Sequence, residues 1–374
     1  MPELFYQKPE IYRIFVPLPE NPLKALNSYL IKTESRNLLI DTGFNRPECY
    51  EALATSLKDL NVDMEKTDIF LTHLHSDHTG LVNKIAHKNS KIYIGKIDYE
   101  YMFENIEGFN WKRSEKRFAE EGFPYEIIER LRGTNQARIF APDKMFEPHL
   151  IEDNDKISLG ELEFTVIFTP GHTPGHTCLY LEREKLLFSG DHILFDITPN
   201  ITSWLGVKDS LRDYLNSLEK IKKLEINKTF PGHRAYSEDV YSRIDGIIEH
   251  HKSRLLDTLE VIKENSNKLT AYEIAGLMKW NMRGKSWLEF PDNQKWFAGI
   301  FTITGHQVGL DTNEPMDVVN LKCEPDLIPN LIHENEIYPA YHMNKQHWIS
   351  VDIERYEDIE KLKMLVDMSY QLVG

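Results

Sequence analysis

The sequence predicts an α/β protein, on three observations. Short runs rich in apolar and β-branched residues recur as far as Phe230, helical patterns fall between and after them, and four runs stop in loops of histidine, aspartate and glycine. Residues 12–16, 28–31 and 37–40 read as strands, the third running into Asp41-Thr42-Gly43, and 46–60 reads as the helix that follows. Residues 68–71 form a further apolar strand that ends in Thr72-His73-Leu74-His75-Ser76-Asp77-His78-Thr79-Gly80. A strand that delivers so many polar side chains into one loop gives them a rigid base.

Residues 95–150 break this rhythm with helical patterns at 98–105, 111–121 and 125–132, and with Tyr99, Tyr101, Phe103, Phe109, Trp111, Phe118, Phe123 and Tyr125. Such aromatic density predicts a cap, its rings serving either as a pocket wall or as the cap's own core. Strand patterns resume at 163–168, 177–181 and 185–188; the first and last end in Thr169-Pro170-Gly171-His172 and Ser189-Gly190-Asp191-His192. After a helix at 210–224, the run 228–230 leads into Pro231-Gly232-His233. A long helix is predicted over 238–264, and Thr270 with Glu273 matches a capping box that opens a helix at 271–280. Beyond residue 300 come two strand-like runs, 299–304 and 348–351, and a last helix at 358–372. The expected organisation is a main domain over 1–265 with the cap inside it, a helical extension over 266–300, and a small α/β appendage over 301–374.

Composition narrows the classes. With 41% hydrophobic and 28% charged residues the chain can bury a sizeable core. Its 59 Asp+Glu against 44 Lys+Arg give a formal charge of -15, which disfavours nucleic acid and anionic lipid as partners. Cys49, Cys178 and Cys323 form no close pair, so neither a disulfide framework nor a thiolate zinc site is expected. No secretory leader pattern and no membrane-length apolar run is found, and the expected setting is the cytoplasm.

Seven of the fifteen histidines, His73, His75, His78, His172, His176, His192 and His233, fall in the four loops. Neutral imidazole is the commonest metal ligand, and carboxylates complete sites for zinc, iron or manganese. In an extended strand end His73 and His75 project to one side, whereas Asp77 and His78 come after the chain has begun to turn. One motif can thus serve two adjacent metals. In the third block His172 and His176 both follow glycine, so spacing alone leaves that ligand open.

These blocks, Thr72 to Gly80, Thr169-Pro-Gly-His172-Thr-Pro-Gly-His176, Gly190-Asp191 and Pro231-Gly-His233, resemble the metallo-β-lactamase-fold hydrolase superfamily over roughly residues 10–265. The resemblance implies an αββα sandwich with the site at one edge. It implies His73, His75 and His172 as ligands of a first metal, Asp77, His78 and His233 as ligands of a second, and Asp191 as the bridge between them. His172 is preferred to His176 because it matches the similar thioesterase and lactonase motifs. His176 then supports the ligands from behind or is structural, His192 points away from the metals or meets substrate, and Asp41 resembles the early aspartate that supports the ligand loop.

Two divalent ions, zinc by default with iron or manganese as options, imply a bridging hydroxide as nucleophile, with Asp77 holding that water and accepting its proton. The doubled Thr-Pro-Gly-His block is most similar to glyoxalase II-type thioesterases and acyl-homoserine lactone lactonases. The expected substrate is therefore a small ester, thioester or lactone. The alternatives are a mononuclear iron enzyme resembling persulfide dioxygenases, or a phosphodiesterase. Residues 265–300 resemble the helical extension of members related to the β-lactamase-like protein 2 group, either a pocket wall or dimer contact or simple packing. The tail, with Val319–Asp326, Tyr338–Trp348 and Ser369–Val373, is similar to the C-terminal part of the MmcQ/YjbR-like family. That family's first strands look absent, with the join near Lys295, and a homodimer is one way of completing the unit. His342, Lys345, His347 and Trp348 are candidates for a small binding surface there.

Overall fold

The computed structural model describes residues 2–265, 268–278, 286–289, 296–341 and 343–373. The chain divides into two compact units, Met1–Met278 and Lys279–Gly374.

The first unit contains two sheets. One has seven strands in sequence order: β1 (Glu3–Tyr6), β2 (Glu10–Pro17), β3 (Ala25–Lys32), β4 (Asn37–Ile40), β5 (Thr67–Leu71), β6 (Ile92–Gly95) and β7 (His149–Ile151). Pairing is antiparallel from β1 to β4 and parallel from β4 to β7. The other has β8 (Lys156–Leu159), β9 (Leu162–Phe168), β10 (Thr177–Leu181), β11 (Leu186–Gly190) and β12 (Lys228–Pro231), in the order β12-β11-β10-β9-β8.

Successive side chains on these strands enter different cores. Leu38, Ile40 and Phe70 join Phe164, Val166, Leu179, Leu181 and Phe188 in a layer shared by both sheets. Leu39, Ile69 and Leu71 instead meet Cys49, Leu53 and Leu57 of the helix Pro47–Asp59. On the far side Cys178, Tyr180 and Leu187 meet the helices Ser210–Ile221 and Val240–Glu264 through Leu218, Ile244 and Ile247. The result is helix, sheet, sheet, helix, the αββα sandwich. With both faces covered there, β4, β5, β10 and β11 are buried along their whole length, whereas β2, β8 and β9 keep exposed positions.

The cap comprises the helices Lys96–Ile106, Phe109–Glu120, Tyr125–Thr134 and Gln136–Ile139. Some of its rings pack locally: Tyr99 meets Phe146 with centroids 5.5 Å apart, and Phe118 meets Phe123 at 5.3 Å. Others, Phe103, Phe109 and Tyr125, are exposed.

The second unit corrects the expected boundaries. Its sheet has β13 (Ser286–Glu289), β14 (Trp296–Thr304), β15 (Pro315–Lys322), β16 (Ile337–Pro339) and β17 (Trp348–Asp352), ordered β13-β14-β15-β17-β16 and antiparallel throughout. Residues 286–300, expected in a helical extension, are thus largely strand where described. The reason is pairing: β14 is an inner strand, bonded to β13 on one side and β15 on the other, so a boundary at 300 would cut it. The first strands taken to be absent near Lys295 are present as β13 and β14. Between residues 266 and 300, helix amounts to Ala271–Leu277 among the described residues, with the capping box of Thr270 and Glu273 formed. Trp280 and Lys295 lie outside the described residues. The core of this unit joins Ala298, Leu321, Ile349 and Val351 to Leu365 of the helix Ile359–Gln371. Trp348 is buried in β17, Lys345 and His347 are exposed, and His342 lies outside the described residues. No helix among the described residues is long and apolar enough to cross a membrane.

Candidate metal centre

The site lies where β5, β11 and β12 and the turn after β9 end. Past β5 the chain bends through Thr72, His73 and Leu74, reaches His75 at the N-cap of the single turn Ser76–Thr79, and carries Asp77 and His78 on that turn. His73, His78 and His233 are fully buried, and Asp77, His172 and Asp191 are nearly so.

Three clusters of potential ligand atoms result: His73, His75 and His172; His73, His78 and Asp191; and Asp77, His78 and His233, the atoms of each within 4.8 Å of one another. His75 Nδ1 lies 3.0 Å from both His73 Nε2 and His172 Nε2. His78 Nε2 lies 3.2 Å from His233 Nε2. Asp191 stands between the groups, its Oδ1 3.5 Å from His78 and from His233 and its Oδ2 3.6 Å from His172.

Partners on the far side of each ring assign the tautomers. Nδ1–H of His172 donates to the Asn200 carbonyl (2.7 Å), that of His233 to the Ala25 carbonyl (2.8 Å) and that of His78 to Asp41 Oδ2 (2.7 Å). His73 Nδ1 lies 3.0 Å from Thr72 Oγ1, whose hydroxyl donates to Asp41 Oδ2 at 2.9 Å. Each of these rings turns its Nε2 lone pair inward, the arrangement that a metal ligand requires. The Nε2 lone pairs of His73 and His172 converge on His75 Nδ1, where a single proton serves only one of them. A cation serves all three nitrogens.

Electrostatics agrees. Burial, reinforced by neighbouring imidazoles, keeps His73 well below the usual histidine range, and burial brings His75 down to about 3, so both are neutral. Burial also lowers His172. Around His78 burial opposes the charged form, but Asp41, Asp191 and Asp77 outweigh it and raise the imidazole well above its ordinary value. Burial pushes Asp77 up, yet His78 and His233 outweigh it and bring the carboxyl down to about 2. Buried carboxylates that hold imidazoles protonated suit a divalent cation, which takes the place of those protons. The donor set therefore fits metal.

Asp41, at φ 59°, accepts from Thr72 N (2.9 Å) as well as from His78, and so ties the start of the ligand loop to the end of β4. His176 belongs to none of the three clusters; its Nδ1 lies 2.8 Å from Thr169 Oγ1, and a Cβ on Gly190, where φ is 48°, would come within 2.9 Å of its Nε2. His192 also stands outside them, its ring edge-on to Tyr214 at 5.2 Å, and burial lowers it to about 3.

Two residues that sequence reasoning passed over belong to the site. Asp98, fully buried, accepts from Leu74 N (2.8 Å), Thr173 Oγ1 (2.6 Å) and Gly175 N (2.5 Å), clamping the His73–His75 segment to the His172 turn. A Cβ on Gly175 would fall 2.4 Å from Asp98 N, which is why glycine stands there. Burial outweighs these hydrogen bonds and raises Asp98 to about 7. The one signal in the sequence was an acidic residue in the first turn of a helix, ordinarily read as dipole matching. Trp204 donates from Nε1 to the His172 carbonyl (3.0 Å) and lies 6.0 Å from the His75 ring, out of a loop with no motif.

A cavity of about 1080 Å³ opens beside His75 and Trp204 and runs beneath the cap. Tyr101 borders it and bonds the Leu205 carbonyl, and Ser76 bonds the Ala137 carbonyl, so ligand turn and cap share a wall.

Comparison with known proteins accords with this geometry. Residues 23–233 match the metallo-beta-lactamase superfamily, and residues 277–372 match YjbR. The chain is 30% identical over 256 residues to a beta-lactamase-like protein 2 homolog of Caenorhabditis elegans, covering 67% of this chain and 70% of that one. It is 28% identical over 255 residues to an atrochrysone carboxyl ACP thioesterase of Aspergillus fumigatus, covering 68% and 65%. A metallo-beta-lactamase family protein of Thermus thermophilus superposes with a TM-score of 0.60 at 27% identity, over 71% of this chain and 86% of that one. The chain belongs to the metallo-β-lactamase superfamily and is a metal-dependent hydrolase with a C-terminal YjbR domain.

Proposed function

We propose that the protein hydrolyses a small ester, thioester or lactone with two divalent ions, zinc by default and iron or manganese as options. His73, His75 and His172 would hold one ion, Asp77, His78 and His233 the other, with Asp191 shared. The observation that carries this reading is the position of Asp191, whose two oxygens face the two groups of imidazoles separately. Bound there, such ions supply Lewis-acid polarisation of the scissile carbonyl and a water acidified toward a pKa of about 7.

The chain's own residues do the rest. Asp77 is held ionised by His78 and His233, so its carboxylate is available to orient the attacking water and take up its proton. Asp41 and Asp98 fix the two loops, which keeps the ligand atoms in place without reorganisation. Trp204 and the cap wall the approach from the apolar side, where an acyl group fits and water is reduced. The thioesterase named among the relatives supports the acyl class.

The test is metal analysis of protein purified without chelator or affinity metal, beside turnover of thioesters, lactones and phosphodiesters. About two ions per chain with hydrolysis of an ester, thioester or lactone is the expected result. A single iron with oxygen uptake on a persulfide, or turnover of phosphodiesters alone, overturns it.

A further inference from the structure

The cavity under the cap is large for a small substrate. Its volume of about 1080 Å³ lies at the upper end for ligand sites, roughly 300–1,000 Å³. Its course follows the cap. His75, Ser76 and Ala137 border one end, where Ser76 bonds the Ala137 carbonyl, so this end meets a candidate metal ligand. Leu131 borders it along the helix Tyr125–Thr134, and Phe123 borders it at the turn before that helix. The helix has 10 residues, which cover roughly 15 Å at a rise of about 1.5 Å per residue.

Two features of the wall decide what fits. It carries large apolar side chains from Trp204, beside His75, to Trp111, Phe118 and Phe123. Its arginines are paired: Arg132 lies 2.6 Å from Glu115, Arg138 lies 3.4 Å from the same carboxylate, and Arg117 lies 4.0 Å from Glu121. A chamber so neutralised gives a charged group little to bind and suits an uncharged chain. The far end is formed with a segment from outside the cap. Tyr272 N donates to the Glu121 carbonyl (3.1 Å), and the Tyr272 ring lies 5.0 Å from that of Phe123. Thr270 sits so close to Gly122, where φ is 87°, that a Cβ there would come within 2.4 Å of its Oγ1. Ala271, between these two anchors, borders the cavity.

We infer that the cavity gauges the length of the substrate's acyl chain, that the chain is apolar with about eight to twelve carbons, and that Ala271 is the specificity residue marking the far end. An extended chain advances about 1.1–1.2 Å per bond, as the backbone does over its three bonds per residue, so a path of roughly 15 Å holds about a dozen bonds. Each methylene that leaves water for such a wall tightens binding by up to about fourfold. The methyl of Ala271 leaves room for the last carbons, and a large side chain there takes their place. The inference rests on the acyl-hydrolase reading above for its chemistry, but its binding test does not require turnover.

The test uses the full chain as purified, with two uncharged probes that each carry one carbonyl, 2-hexanone and 2-undecanone, titrated by calorimetry against wild type, Ala271→Trp and Ala271→Ser. Wild type is expected to bind the longer ketone at least about tenfold more tightly than the shorter. Ala271→Trp is expected to weaken 2-undecanone at least about fivefold and to leave 2-hexanone within about twofold. Ala271→Ser, close in size to alanine, keeps the wild-type pattern. Residue 271 is exposed at the start of its helix, so both variants should melt as wild type does. Equal affinity of wild type for the two ketones, an equal loss of both in Ala271→Trp, no loss of either, or the same loss in Ala271→Ser overturns the inference. Equal kcat/KM on acetyl and decanoyl thioesters also overturns it. Absence of ester, thioester and lactone hydrolysis alongside the expected ketone pattern would overturn the catalytic reading alone.

Discussion

Asp98→Asn isolates what the buried clamp contributes. The carboxylate receives three donors, Leu74 N and Thr173 Oγ1 on one oxygen and Gly175 N on the other. Asparagine is isosteric but has one acceptor oxygen. If that oxygen serves Leu74 and Thr173, the new NH₂ faces Gly175 N–H; if it serves Gly175, the NH₂ faces Leu74 N–H. In either orientation one buried backbone donor loses its partner and meets a second donor. At pH 8, above the value of about 7 at which Asp98 ionises, a hydrogen bond to a charged group contributes about 1.5–3 kcal/mol, so the expected loss there is about 2–3 kcal/mol. For a unit of this size that corresponds to a fall of roughly 3–6 °C in the melting temperature. Because the clamp flanks His73, His75 and His172, metal loss to a chelator should also quicken, at least tenfold. Calorimetry and the chelator time course measure the two effects. A variant that melts within about 1 °C of wild type and releases metal at the same rate would refute the clamp.

The same residue sets a pH dependence. Burial raises Asp98 to about 7, above its unfolded value, so the native state holds a proton that the unfolded state has released. That contribution to stability is fully present below the unfolded pKa and is lost as pH rises through about 7, at no more than about 1.4 kcal/mol per pH unit. Stability measured from pH 4 to 8 should therefore show wild type losing its advantage over Asp98→Asn as pH rises, and a constant difference would contradict it. His78→Ala and His233→Ala should each lower bound metal by about one equivalent by elemental analysis while circular dichroism stays native; loss of the fold would make these histidines structural. His176→Ala should keep its metal, since its ring belongs to no ligand cluster, but lose about 1–3 kcal/mol through the broken Thr169 contact and the space left behind.

The strands and ligand loops were legible because their signals are local. Each strand that ends in the site is an apolar run stopped by glycine, histidine or aspartate, and the predicted 37–40 and 177–181 coincide with β4 and β10. β1, β6, β7 and β8, none longer than four residues, were not read, because no ligand loop marks their ends and so short a run by itself shows no period until a neighbouring strand pairs with it. The boundary at 300 failed for the same reason: β13 is recognised as part of the second sheet only through its pairing with β14.

The sequence by itself determined the α/β class, the acidic balance and the set of histidines and aspartates that four strand ends carry, since these depend on residue type and near-neighbour order. Only the tertiary structure decided how those residues combine. Asp191 reaches between the two histidine groups, and Asp98 reaches from a cap helix to Leu74 and Gly175, across 24 and 77 residues of chain. It also buried both amide atoms of Asn110 without a hydrogen-bond partner among the described residues. Hydrogen bonds and burial of this kind join residues distant in sequence, and which atoms they satisfy is fixed by the packing of the sheets and the cap.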